Sequence, residues 1–232
     1  TLTEEDVTAI GRAFGTIVAR QGGRGVAVGY DGRLSSLLLE KAVVSGLVAA
    51  GVDVWRVGLG PSPMLYFATH VLEADAGLMI TGSHNPPEYN GIKMVIGEHS
   101  FFGADIQRLG EIAATGDFTA GEGRTVERPV ADDYVRRLLE GFEEGRPLSV
   151  AWDPGNGAAG EVIQGLCARL PGRHVLLNEN IDGTFPAHHP DPTVEANLEQ
   201  LKGAVAAEDC DLGLAFDGDG DRIGAIDSLG RV

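Results

Sequence analysis

Apolar positions recur along the chain in two alternating rhythms, one with a period near 3.6 residues and one of short continuous runs. Such alternation marks amphipathic helices and buried strands following one another. Val7, Ile10, Phe14 and Ile17 fall on one face of a first helix. Thr3 can cap that helix, and Glu4, Glu5 and Asp6 suit its positive end. Residues 25–30 read as a short strand, Asp31-Gly32-Arg33 as a turn, and the following stretch as a helix capped near Ser35 or Ser36 and stopped by Gly51. Further strands are expected at 52–57, 77–81 and 93–96, with helices at 64–72, 106–113 and 133–142. The stretch 115–128, rich in Gly, Thr and charge, reads as a surface connection.

The rhythm restarts at Leu148. A strand over 148–152 precedes a helix from about Ala159 and a strand at 175–177. After a Pro-rich loop comes a helix with Val194, Leu198, Leu201 and Val205 on one side, then strands at 212–216 and 223–226. This order predicts an α/β protein of two layered α/β/α domains with mixed sheets. The expected units are residues 1–146 and 147–232, meeting near Gly145-Arg146-Pro147. The second is expected to be incomplete, because the sequence stops straight after a turn at Ser228 to Gly230. No internal sequence repeat is visible.

Composition narrows the classes of partner. Lys and Arg number 18 against 34 Asp and Glu, for a net charge of −16, the wrong sign for a general nucleic-acid partner. No apolar run approaches the roughly 20 residues needed to span a bilayer, so no membrane partner is expected. Cys167 and Cys210 read as buried free thiols, in keeping with a cytoplasmic location.

Two loops stand out chemically. Thr81-Gly82-Ser83-His84-Asn85-Pro86-Pro87-Glu88-Tyr89-Asn90-Gly91-Ile92-Lys93 leaves the C-terminal end of a buried strand, where open α/β sheets bind ligands. A hydroxyl, an imidazole, amides and a cation so close together are costly to bury and point to a polar site. A solvated turn whose Ser and Asn cap backbone groups is the plain alternative. Asp217-Gly218-Asp219-Gly220-Asp221-Arg222 sets three carboxylates two residues apart, with glycines that allow the backbone to curl. Three carboxylates at about 4 Å repel by up to about 4 kcal/mol per pair at an effective dielectric near 20. A divalent cation removes that cost, and three hard oxygens suit Mg²⁺; an exposed acidic turn is the other reading. A calcium EF-hand is excluded, since Arg222 stands where its Gly and Ser228 where its Glu would be required. Arg222 and Lys93 add cations suited to phosphoryl oxygens. Together the loops hold the parts needed for phosphoryl transfer by positioning and charge neutralisation.

A competing motif is Gly155-Asn156-Gly157-Ala158-Ala159-Gly160, which satisfies G-x-G-x-x-G between a strand and a helix, with Glu179 where a ribose-binding acid belongs. It keeps an NAD-dependent oxidoreductase in play. The reading preferred here is close packing of a strand–helix turn, because a dehydrogenase leaves both chemical loops unexplained.

At those two loops the sequence resembles the α-D-phosphohexomutases, and residues 81–93 look like their phosphoserine loop and residues 217–222 like their metal loop. Asp31-Gly32-Arg33-Leu34-Ser35, Asp153-Pro154-Gly155-Asn156-Gly157-Ala158 and Asp182-Gly183-Thr184-Phe185-Pro186 are similar to further family segments. The Pro-Pro-Glu-Tyr-Asn form of the first loop looks more like the phosphomannomutase/phosphoglucomutase branch than the phosphoglucosamine branch. The resemblance implies that Ser83 rests as phosphoserine, with Mg²⁺ between its phosphate and Asp217, Asp219 and Asp221. It implies a hexose phosphate substrate, phosphoryl exchange between the 1- and 6-positions, and a hexose 1,6-bisphosphate intermediate or activator. Lys93 would then assist charge and proton handling, His84 would position the loop, and Arg222 would steady the transferring group. His188 and His189 read as loop residues rather than ligands. Family members carry an Arg-containing segment ahead of the first helix and two further domains, so this chain is expected to hold the active-site half without sugar recognition and to be inactive alone. A non-catalytic metal- or phosphate-binding module is the reading from another class.

Overall fold

The computed structural model describes residues 2–143 and 145–232. In chain order the first unit runs α1 (Glu4–Arg20), β1 (Gly25–Tyr30), α2 (Ser36–Ala49), β2 (Asp53–Leu59), α3 (Ser62–Val71), β3 (Ala76–Ile80), β4 (Ile92–Ile96), β5 (His99–Ser100), α4 (Ala104–Thr115), β6 (Thr125–Glu127) and α5 (Ala131–Leu139). The second runs β7 (Leu148–Asp153), α6 (Gly160–Cys167), β8 (Gly172–Leu176), a 3-10 turn (Glu195–Leu198), α7 (Glu199–Ala207), β9 (Leu212–Phe216) and β10 (Ile223–Asp227). These are two mixed sheets, of order β5-β4-β3-β1-β2-β6 and β10-β9-β7-β8, flanked by helices.

The capping of α1 is reciprocal: the Thr3 hydroxyl accepts from the Asp6 amide, and the Asp6 carboxylate accepts from the Thr3 amide. β1 and β3 are apolar throughout because both their faces are covered. Val26, Val28, Leu78 and Ile80 turn toward Phe14, Leu39, Leu47 and Leu109 on one side. Ala27 and Met79 turn the other way, toward Met64, Leu65 and Val135, and α6 adds Val162 to that same cluster. A side chain from the second unit therefore completes a core layer of the first. Burying such a residue is worth about 1.5–3 kcal/mol.

The halves share a topology that their sequences hide. Each sheet starts at its central strand (β1 or β7), places a parallel neighbour on one side (β2 or β8) and another on the other side (β3 or β9). Each then reverses into an antiparallel partner, β4 or β10. Residues 81–91 and 217–222 are the two reversals. They are equivalent loops at the C-terminal ends of equivalent strands.

Four expectations need correction. Residues 115–128 are not all surface connection, because Thr125–Glu127 pairs in parallel with β2 as an edge strand. Val194 does not share a helix face with Val205: the 3-10 turn intervenes, and Val194 is 47% exposed while Leu198, Leu201 and Val205 are buried. Ser35 stands at the N-cap of α2, as expected, but its side chain makes no capping hydrogen bond; the Ser36 hydroxyl goes to Asp31. The strand expected at 175–177 lies at Gly172–Leu176.

Candidate active site

The loop after β3 is built around one buried side chain, Arg33. Its Nε donates to Asp31 Oδ2 at 3.1 Å. One terminal nitrogen donates to the carbonyls of Pro86 and Tyr89 at 2.6 and 2.9 Å, and the other to those of Ser83 and Asn85 at 2.7 and 2.8 Å. All five guanidinium donors are thus used. Asp31, also buried, accepts in addition from the Ser36 hydroxyl, the Thr81 hydroxyl and the Gly82 amide. The Thr81 hydroxyl in turn accepts from the Ser83 amide at 2.8 Å. Gly82 is required here, since a Cβ on it would lie 2.5 Å from the Arg33 guanidinium carbon. This network holds Ser83 at φ +51°, a left-handed conformation that costs a non-glycine residue roughly 1–2 kcal/mol.

The result is an Oγ presented to the second unit. Ser83 Oγ donates to Asp217 Oδ2 at 3.0 Å. His84 Nδ1 and an Arg222 terminal nitrogen each stand 3.4 Å from the same oxygen. Lys93 sits opposite Met79 in the β3–β4 pair, so it projects from the sheet face turned toward the second unit. Its Nζ donates to Asp219 Oδ2 at 2.5 Å and Asp221 Oδ2 at 2.6 Å. All seven residues singled out from the sequence, Ser83, His84, Lys93, Asp217, Asp219, Asp221 and Arg222, come together. His84 and Arg222 make the longest of these contacts to Oγ, both at 3.4 Å.

The acidic loop is curled by its own backbone. Asp217 Oδ1 accepts from the amides of Asp221 and Arg222, both at 3.1 Å, and Gly220 takes φ +68°. One oxygen from each of Asp217, Asp219 and Asp221 lies within 4.8 Å of the others. Asp217 and Asp219 are completely buried, yet their chemistry diverges. Burial and the adjacent Asp219 charge push Asp217 up to about 6. Asp219 suffers the same burial, but hydrogen bonds from Lys93 and Ser62 outweigh it and hold the carboxyl below its ordinary value. For Lys93, burial is likewise the largest influence and acts downward; the two carboxylates overcome it, and the net direction is up. Asp219 Oδ1 is buried with no hydrogen-bond partner. A clustered set of hard oxygens with one left unsatisfied fits a small divalent cation.

Sequence reasoning missed the roles of Asp31, Arg33 and Ser62. The signal available was an ion pair placed directly after a strand with no polar residue, and a Ser set between two prolines. The glycine-rich turn at 155–160 is filled from within the protein. A Cβ on Gly157 would meet the Pro154 and Gly218 carbonyls at 2.8 and 2.9 Å, and one on Gly160 the Glu179 carbonyl at 2.1 Å. His188 lies in a loop and pairs with Asp153, at 2.8 Å, outside the acidic triplet. Cys167 and Cys210 are free, Cys210 buried and Cys167 partly so. Among the described residues no helix is long and apolar enough to cross a membrane.

A strand–loop–strand reversal bearing a buried serine, facing an equivalent reversal bearing three carboxylates, defines a two-domain α/β protein organised around one hydroxyl and one carboxylate cluster. Residues 1–120 match the family model described as phosphoglucomutase/phosphomannomutase, alpha/beta/alpha domain I, and residues 132–230 match that of domain II. The chain belongs to the phosphoglucomutase/phosphomannomutase family. It is 42% identical over 232 residues to a phosphomannomutase/phosphoglucomutase of Pseudomonas aeruginosa, covering all of this chain and 50% of that protein. It is 39% identical over 234 residues to a phosphoglucomutase of Neisseria meningitidis, covering 51% of it. The crystal structure of a phosphoglucomutase/phosphomannomutase family protein from Burkholderia thailandensis superposes with a TM-score of 0.95 at 42% identity, covering all of this chain and 52% of that one. The chain thus spans about half the length of the curated relatives it matches.

Proposed function

We propose that this chain carries the phosphoryl-transfer half of a phosphohexose mutase, with Ser83 as the phosphoryl carrier. The observation that carries the reading is the 3.0 Å contact between Ser83 Oγ and Asp217 Oδ2, which sets a nucleophilic oxygen against the acidic triplet. In the forward half-reaction the Ser83 Oγ–P bond breaks as a P–O bond forms to the free hydroxyl of a hexose 1-phosphate or 6-phosphate; that hydroxyl loses its proton and the departing Oγ gains one, becoming the neutral hydroxyl. The resulting 1,6-bisphosphate reorients, and the bond between its other phosphoryl group and the sugar oxygen breaks as a P–O bond forms to Oγ; Oγ gives up its proton, the sugar oxygen takes one up, and phosphoserine and the isomeric monophosphate result. Asp217, Asp219, Asp221 and the Ser83 phosphate would hold Mg²⁺, which supplies charge neutralisation on the transferring group. The protein's own share is placement. Arg33 and Asp31 fix the loop, Arg222 reaches the Oγ from the metal-loop side, and Lys93 keeps its charge between the two loops. His84, 3.4 Å from Oγ, borders the phosphoryl position.

Intact-mass analysis of the purified protein tests the reading. One phosphate, about 80 Da, is expected to map to Ser83 and to be absent from Ser83→Ala. Mg²⁺ binding with no phosphoryl ever found on Ser83 would reduce the protein to a metal-binding module.

A further inference from the structure

Ser62 ties the two units together at the acidic loop. It is the first residue of α3, follows Pro61 and precedes Pro63. The N-cap position is taken by Pro61, so Ser62 stands one residue inside the place from which a serine caps its own helix. Here no side chain caps α3. The Ser62 hydroxyl instead donates, in a short contact, to Asp219 Oδ2, and the Ser62 amide donates to the Asp219 carbonyl at 2.8 Å. Both residues are completely buried. Packing closes the same joint, since a Cβ on Gly220 would lie 3.0 Å from Pro61 Cβ.

These contacts make the two oxygens of Asp219 unequal. Oδ2 receives the Ser62 hydroxyl and Lys93 Nζ, while Oδ1 is buried and unpartnered. A carboxylate held by one oxygen and by its own carbonyl cannot rotate freely. We propose that Ser62 is a positioning residue for the cation site: by occupying Asp219 Oδ2 it designates Oδ1 as the ligand atom. The inference rests on the reading of the acidic triplet as a Mg²⁺ site.

Calorimetric titration of EDTA-stripped protein with MgCl₂ tests it on wild type, Ser62→Ala and Val162→Ala, the last loosening the shared core without touching Asp219. Ser62→Ala is expected to weaken Mg²⁺ binding by about tenfold or more, the usual reach of a residue that orients a metal ligand. Its melting temperature in EDTA should remain close to wild type, and Val162→Ala should bind Mg²⁺ nearly normally. If wild type binds no Mg²⁺, the reading of the site itself falls. If wild type binds and Ser62→Ala matches it within twofold, or if Val162→Ala loses as much affinity, Ser62 has no positioning role. Should Ser62→Ala fail to melt cooperatively, Ser62→Cys replaces it under the same criteria, because a thiol fills the space but is a weak donor.

Discussion

Gly218 and Ser83 touch backbone to backbone: a Cβ on Gly218 would stand 2.3 Å from the Ser83 carbonyl oxygen. The contact explains why a glycine separates the first two aspartates and why the Ser83 hydroxyl can reach Asp217 at all. Gly218→Ala must push one loop off the other. Overpacking of this kind costs about 1–3 kcal/mol, so a lower melting temperature is expected. Displacing a reacting group by about 1 Å can cost on the order of 100-fold in rate, so phosphoryl transfer from Ser83 should fall further than stability does. Wild-type transfer in Gly218→Ala would mean that the loops approach with slack.

Arg33 should tolerate no conservative exchange. Four loop carbonyls converge on one planar fork, a geometry that an ammonium cannot reproduce. Arg33→Lys would strand several buried carbonyls, at about 1–3 kcal/mol for each left unsatisfied. Urea unfolding is expected to show Arg33→Lys nearly as destabilised as Arg33→Met, by several kcal/mol. Near-native stability of the lysine variant would show that the carbonyls find other donors.

The fold was legible where one physical signal dominated. Apolar continuity located β1 and β3, and helical spacing with an acidic first turn located α1. The seven site residues could be picked out because their chemistry is concentrated in two short loops. Edge strand β6 escaped because a three-residue strand exposed at Thr125, Val126 and Glu127 has no hydrophobic pattern and is made by backbone pairing alone. The supports of the site escaped for a different reason. Arg33 and Ser62 act on partners 50 and 157 residues away in sequence, and no local spacing encodes such a meeting. The common topology of the two sheets was hidden too, since it lives in strand order rather than in side chains.

The glycine-rich turn before α6 should bind no dinucleotide. Gly160 is pressed on the Glu179 carbonyl, and Gly157 on Gly218 of the acidic loop, so the turn braces the acidic loop from behind. Titration with NAD is expected to show no micromolar binding. Gly160→Ala, with its Cβ 2.1 Å from a carbonyl oxygen, should lower the melting temperature. Saturable micromolar binding of NAD would restore the oxidoreductase alternative.

His188 gives the fold a pH signature. Its Nε2 stands 2.8 Å from Asp153 Oδ2, a carboxylate with no exposure, and its Nδ1 lies 3.0 Å from the His189 carbonyl. The hydrogen bond to Asp153 raises the imidazole pKa, and it prevails over burial, which acts the other way. In the unfolded chain the same group titrates near about 6.5. A base whose pKa is higher in the folded protein binds its proton more tightly there, so protonation favours folding. The contribution is therefore complete below the unfolded value and fades as pH rises through the folded one. His188→Gln retains a donor toward Asp153 but cannot titrate. The difference in melting temperature between wild type and His188→Gln is expected to be largest on the acid side of neutrality and to shrink as pH rises. A difference that stays constant with pH would mean that His188 holds Asp153 as a neutral hydrogen-bond donor.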